Sequence, residues 1–392
     1  MDRVYHVLGI GHCPTSRLFS TNPFAQNTRM MCAILNNLRF KTYHYGVEGS
    51  TALCDEHISV VMQSELEAVY GKDYKNQRVD LNTVDQRYTT GLFDTRTVHE
   101  IEKRAQPGDF VLVTGGTLHQ AVVSALDEIG VHPLEPACGY ENIFTRYRVF
   151  PSHTWQSYCY AKWDSSWEAY KETLNADEQH SENYLTTSNP ISFLKPCDDV
   201  IPHGCFPEDF TIAESREDYI FHISRLIPSK GIEMAIKVSK HLGRKLVIAG
   251  QGDFEKNMGF KPPSHVELVG ALDVEARNHW MGQAFCTMSW TINSEPFGYV
   301  PVESMFCGVA PVTSNRGAFT ETVKRGVSGF RTTTFKETCE RVEACADLDP
   351  DTIRQYAMDN YSIDAVSPRY GNYFRGLDAH LKATEAGESF YS

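Results

Sequence analysis

Apolar runs rich in β-branched residues recur along the chain, and several of them end in glycine. VYHVLGIG at 4–11 comes first, and DFVLVTGG at 109–116 leads into the helical pattern LHQAVVSALDEIG. Later come YIFHIS at 219–224, KLVIAGQG at 245–252, VELVG at 266–270, FCTMSW at 285–290 and VAPVTS at 309–314. Short apolar strands separated by helix-length segments predict βαβ units and parallel sheets. The glycines fall at strand carboxyl ends, the side on which doubly wound sheets hold ligands. A polar, helix-like stretch at 161–190 interrupts the series, and NPISFLKPCDDVIPHGCFPEDF at 189–210 then concentrates proline and short turns. The pattern predicts two α/β domains, Rossmann-like and doubly wound, at 1–200 and 201–365. Such domains are expected to face one another across a cleft that suits a ligand. The helical tail at 366–392 is expected to pack back on the amino-terminal domain.

Composition narrows the function without naming it. The 392 residues suffice for two or three domains, and 41% hydrophobic content gives each half a core. A net charge of −13 argues against a nucleic-acid partner, which needs a basic footprint. It also argues against purely electrostatic adsorption to anionic lipid, leaving peripheral membrane contact through a local basic face open. No transmembrane segment is apparent, and MDRVYHVLGIGHCP reads as a strand and a glycine turn, not a signal peptide. The 11 cysteines include no C-x-x-C pair and the 15 histidines no H-E-x-x-H. A reduced, cytoplasmic chain is therefore expected, with no metal and no cofactor.

Candidate chemistry concentrates in the second half. In ISRLIPSKGIEMAI, residues 223–236, a strand ends near Ser224 and Lys230-Gly231 opens a helix. Arg225 and Lys230 at such a turn suit a diphosphate, although alone they fit a solvated loop better. SEPFGYVPVESMFCG, residues 294–308, holds Glu295 and Glu303 with seven residues between them. Pro301 in the first turn and Gly308 past the end predict a helix, whose opening amides near Gly298, Tyr299 and Val300 suit an anion. Glu303 is read as lying in the first turn, within reach of a ribose, and Glu295 as standing beyond the phosphates. Taken as a lone pair, the two carboxylates fit an ordinary helix start and a surface loop better.

The combination resembles a known family. E-P-F-G-x-x-x-x-E, followed by M-x-x-G-x-x-P-V and the turn at Gly326, Gly329 and Phe330, is similar to the signature of retaining GT-B glycosyltransferases of family 4. SRLIPSKG at 224–231, LVIAGQGD at 246–253, ELVGALD at 267–273 and IPHGCFPEDF at 201–210 resemble further elements of that family, in its order. The chain also looks like members encoded by large DNA viruses of algae. The resemblance implies the GT-B fold and a nucleotide-sugar donor, UDP- or GDP-linked, with a glycan or other hydroxyl acceptor. It implies that Glu295 meets the donor sugar as the catalytic carboxylate and that Arg225 and Lys230 neutralise the diphosphate. Glu303 would hold the ribose and backbone near Leu272 would meet the base. Phe297, Gly298, Tyr299 and Val300 would border the donor, and Gly11 of GIGHCP would approach the diphosphate. Metal-independent transfer is implied.

The first half departs from the pattern. Where many members carry a histidine that touches the donor sugar, PLEPACGYEN has none; His119 and His153 lie nearby and are read as structural. Aromatic residues at 155–170 fit either an acceptor groove or the apolar side of a helix, the second being favoured. A nucleotide-sugar hydrolase or epimerase on the same fold, and a non-catalytic nucleotide-binding module, are the alternatives.

Overall fold

In the computed structural model, residues 3–19, 22–72, 84–171 and 197–386 are described, the side chains of 84–87 and 164–171 excepted. The chain divides into two units, one of residues 1–151, 156–203 and 366–392, the other of residues 152–155 and 204–365.

The strands of the first unit are β1 (Tyr5–Leu8), β2 (Thr42–Val47), β3 (Glu56–Val61), β4 (Phe110–Val113), β5 (His132–Glu135), β6 (Tyr147–Phe150) and β7 (Asp199–Val200). They form one sheet in the order β3-β2-β1-β4-β5-β6-β7, every neighbouring pair parallel. β1 reads YHVL and β4 reads FVLV, both buried throughout, as strands covered on two faces must be. The strand order reverses between β1 and β4, which sets Gly9–Gly11 and Thr114–Gly116 at the unit's switch point. The tail joins this unit. Tyr370 donates its hydroxyl to the Pro136 carbonyl at 2.8 Å, and Phe374 stands edge-on to Tyr5 at 5.1 Å.

The second unit repeats the plan with β8 (Tyr219–Ile223), β9 (Lys245–Ala249), β10 (Val266–Gly270), β11 (Cys286–Ser289), β12 (Pro311–Ser314) and β13 (Phe330–Thr332). Their order is β10-β9-β8-β11-β12-β13, again all parallel. β10 is an edge strand and is only partly buried, with Glu267 on it, a usual way to discourage edge pairing. One core runs from β8 and β9 through the helix Ile232–Leu242 to the helix Tyr299–Phe306. Here the order reverses between β8 and β11. Among the described residues no helix is long and apolar enough to cross a membrane.

Several strands and loops bury imidazoles. His44 is pushed down to about 3 and His119 and His222 to about 4, burial being the largest cause each time. His57 adds to the effect on His44, and Lys230 to that on His222. Groups held neutral this way take up protons in the unfolded chain first. Their stabilisation is whole above about pH 6.5 and is lost as pH falls toward the folded values. The thermal midpoint is therefore expected to drop steadily from pH 7 to 4.5, each histidine contributing up to about 1.4 kcal/mol per pH unit. A midpoint that stays level over that range would contradict this.

Candidate functional site

The switch point of the second unit lies at the carboxyl ends of β8 and β11. Both strands run straight into loops that carry charge. β8 ends at Ile223, Ser224 and Arg225 follow, and a single turn Pro228–Lys230 precedes the helix Ile232–Leu242. β11 ends at Ser289 and leads through Trp290 and Thr291 to Glu295. Ser229 stitches the two loops together, its carbonyl accepting from the Ile292 amide and the Thr291 hydroxyl, each at 3.0 Å.

Two glycines let the backbones meet this closely. A Cβ on Gly231, where φ is +78°, would lie 1.9 Å from the Trp290 carbonyl oxygen. One on Gly250, at the exit of β9, would lie 1.6 Å from the Ser224 carbonyl oxygen. Both positions therefore require glycine on steric as well as conformational grounds.

This packing brings Lys230 against Glu295, residues 65 positions apart, in an ion pair from Nζ to Oε1. The side chains are 20% and 18% exposed, so the pair is partly shielded yet reachable. The Glu295 backbone is held from the loop after β12, where the Ala318 amide donates to the Glu295 carbonyl at 3.0 Å. Ser152 donates to the neighbouring Pro296 carbonyl at 2.7 Å. His222 spans β8 and β11 beneath, with Nδ1 2.8 Å from the Met288 carbonyl and Nε2 2.8 Å from the Ser224 hydroxyl. Since burial keeps that ring neutral, Nδ1–H donates to Met288 and Nε2 accepts from Ser224.

The remaining predicted residues distribute around this pair. Arg225 stands exposed at the exit of β8. Gly298 caps the helix Tyr299–Phe306 in the left-handed conformation, and Tyr299 and Val300, both half-buried, open it. Amides in that opening turn have no acceptor within the helix. Phe297 turns into the core, edge-on to Tyr299 at 5.1 Å and to Tyr361 at 5.8 Å. Leu272 leaves β10 just before Asp273, which caps the helix Val274–Gly282 through the Ala276 amide at 2.8 Å. Gly11 lies in the first unit, where an added Cβ would come within 2.9 Å of the Phe93 side chain.

Glu303 differs from its expected setting. It sits in the second turn of its helix, not the first, because the helix begins only at Tyr299. It is 7% exposed and pairs with Arg277 of the helix Val274–Gly282 at 3.1 Å. Burial pushes its carboxyl up and Asp209 adds to the rise, while Arg277 opposes both. Arg277 escaped the sequence reading, yet a signal existed. Val274, Arg277 and Met281 share the buried face of one helix, and a cation there demands an acid. Nothing local pointed to Ser152 or Ala318.

In the first unit, the loop PLEPACGYEN is organised by a buried acid. Glu135 accepts from the Tyr140 hydroxyl at 2.9 Å, the Phe144 and Thr145 amides at 3.0 and 2.8 Å, and the Thr145 hydroxyl at 2.8 Å. His119 donates Nε2–H to the Gly9 carbonyl at 2.7 Å and braces the first glycine loop. The His153 amide donates to Glu321 at 2.9 Å.

Residues 208–347, which contain every candidate of the second unit, match the family Glycosyl transferases group 1. That stretch is a glycosyltransferase group 1 domain. The glycogen synthase of Pseudomonas savastanoi pv. phaseolicola (strain 1448A / Race 6) is 27% identical over 154 residues, 33% of this chain and 31% of that protein. The chain thus spans about a third of the length of the curated relatives it matches. Among solved structures, AviGT4, a glycosyltransferase involved in avilamycin A biosynthesis, aligns with a TM-score of 0.61 at 16% identity, covering 96% of this chain and 98% of that one. Anabaena HepE in complex with UDP-glucose aligns at 0.61 and 13% identity, covering 95% and 99%. Both likenesses extend across the two parallel-sheet units, and the fold is GT-B. Within it, the Lys230–Glu295 pair marks the switch point of the group 1 domain.

Proposed function

We propose that this chain is a retaining, family 4 glycosyltransferase that moves a sugar from a UDP- or GDP-linked donor to a glycan or other hydroxyl acceptor, without a divalent metal. The observation that carries this is the Lys230–Glu295 pair, a cation and a carboxylate at the switch point of a group 1 domain. Switch-point crevices are where doubly wound sheets take nucleotides. Lys230 and Arg225 would neutralise the diphosphate as it leaves, aided by the helix opening at Gly298–Val300. Backbone near Leu272 would meet the base and Glu303 the ribose.

When donor binds, its diphosphate would compete with Glu295 for Lys230, turning the carboxylate toward the sugar. As the bond from the anomeric carbon to the phosphate oxygen breaks, positive charge builds on the ring and Glu295 would stabilise it. The acceptor oxygen would form the new bond on the same face, and its proton would pass to the departing phosphate. UDP-glucose, bound in the HepE structure, is a natural first donor to test.

One observation favours a second role for Glu303. Its buried pairing with Arg277 also fits a brace between two helices. Ribose-dependent binding, described below, separates the two roles.

The experiment is sugar transfer from a panel of UDP- and GDP-sugars to oligosaccharide acceptors in excess chelator, with product anomers assigned by NMR. Transfer with retained configuration is expected under chelation. Activity that disappears there and returns with manganese would contradict metal independence, and inverted product would contradict retention.

A further inference from the structure

Glu303 is surrounded by charge that the proposed chemistry leaves unexplained. Glu303, 7% exposed, faces Arg277, 6% exposed, and feels Asp209, 2% exposed. These three come from separate elements: the helix Tyr299–Phe306, the helix Val274–Gly282 and the turn Pro207–Asp209. Two further groups lie close. Cys307, on the same helix end, is pushed up to about 12, chiefly by burial, and carries no charge at working pH. Arg354 is directed to backbone, donating to the carbonyls of Phe306, Phe210 and Pro207. The cluster thus sets two acids against one guanidinium that reaches Glu303.

We propose that Arg277 is a positioning residue for donor binding, keeping the buried Glu303 carboxylate ionised and oriented to receive two ribose hydroxyls, against the opposing charge of Asp209. This rests on the donor reading above and adds to it the residue that makes Glu303 competent. The chemistry is direct. A carboxylate presents two acceptor oxygens, which suits a vicinal diol, whereas a protonated carboxyl turns one oxygen into a donor. A buried carboxylate without a countercharge takes up a proton rather than stay ionised. Arg277, 3.1 Å from Oε1, supplies that countercharge. Asp209 works the other way, favouring the protonated form.

The sign of the pH dependence follows. Ribose hydroxyls bind the ionised form, so nucleotide affinity falls as pH drops through the Glu303 midpoint. Losing Arg277 moves that midpoint up and the fall begins at higher pH. Losing the charge of Asp209 moves it down.

The test is calorimetry on the full chain with UDP and GDP, and with inorganic pyrophosphate, which has phosphates and no ribose. Arg277→Met is expected to weaken the preferred nucleoside diphosphate ten-fold or more at pH 7, to leave pyrophosphate within two-fold, and to recover nucleotide affinity at higher pH. Arg277→Lys should restore much of the loss. Asp209→Asn, which does not depend on the Met variant folding, should extend nucleotide binding to lower pH. Equal losses for nucleotide and pyrophosphate, or a pH profile that Asp209→Asn does not move, would reduce Arg277 to a structural brace and overturn the proposal. A wild-type chain that binds neither UDP nor GDP would instead overturn the donor reading itself.

Discussion

Glu295→Gln is expected to cut sugar transfer by about a hundred-fold or more while nucleoside diphosphate binds at least as well as before. The substitution keeps the shape of the side chain and removes its charge. In the proposed reaction that charge matters most when the anomeric carbon becomes cationic, so its loss falls on turnover rather than on ground-state binding. The contact with Lys230 adds a second consequence. Glu295 pairs with Lys230, and an anion that must displace it binds less tightly than its contacts allow. For a partly exposed pair this competition amounts to roughly 1 kcal/mol, so nucleotide affinity in the variant should rise by up to about five-fold. Glu303→Gln should do the reverse, weakening nucleotide binding more than it slows turnover at saturation. Calorimetry and a product assay on both variants check the contrast. Weakened nucleotide binding with normal turnover in Glu295→Gln would assign that carboxylate to the wrong partner.

Lys230→Ala should weaken the donor and slow the reaction together, by about 2–4 kcal/mol in kcat/KM terms. Lys230 is placed by close packing on either side, between Gly231 under the Trp290 carbonyl and Ser229 bonded to the next loop. It cannot be substituted functionally by a neighbour, since Arg225 stands at the other end of the turn, exposed. Arg225→Ala should show the smaller effect of the two, because an exposed cation is screened by solvent. The double variant should fall short of the sum, both cations acting on one diphosphate. Full activity in Lys230→Ala would make its contact with Glu295 a surface ion pair and nothing more.

The largely apolar strands β4, β8 and β9 are legible from their pattern, and so are the glycines that close β4 and β9. β2 and β3 are not. TYHYGV and EHISVV carry histidine, tyrosine and a charge; β2 is nonetheless buried because distant groups satisfy it, His44 meeting Thr15 at 3.0 Å and Tyr45 meeting His6 at 2.8 Å, while β3 is only partly buried. Both ends of the helix Tyr299–Phe306 were visible in Gly298 and Gly308, but the depth of Glu303 was not, since it depends on the neighbouring helix and on Asp209. The motif spacing pointed to Lys230 and Glu295 separately. Their contact follows from β8 and β11 lying side by side, an adjacency of strand order that no local pattern contains. In the first unit, the loop without the expected histidine is built on Glu135, whose four donors come from its own following segment. In the aromatic passage at 155–170, Trp155 is buried and Trp163 lies by Tyr160 at 5.6 Å and under Arg148 at 4.8 Å, while Tyr158 is exposed. The side chains of Trp167 and Tyr170 lie outside the described residues.

The most direct test of the central claim is the thermal midpoint of the full chain against a panel of UDP- and GDP-sugars in chelator, run in parallel on the wild type and Lys230→Ala. A donor present at a hundred times its dissociation constant stabilises the wild type by about 2.7 kcal/mol. The account predicts a clear upward shift with at least one nucleotide sugar and its loss in Lys230→Ala. No shift with any member of the panel, or an equal shift in both proteins, would contradict a donor site at the Lys230–Glu295 crevice.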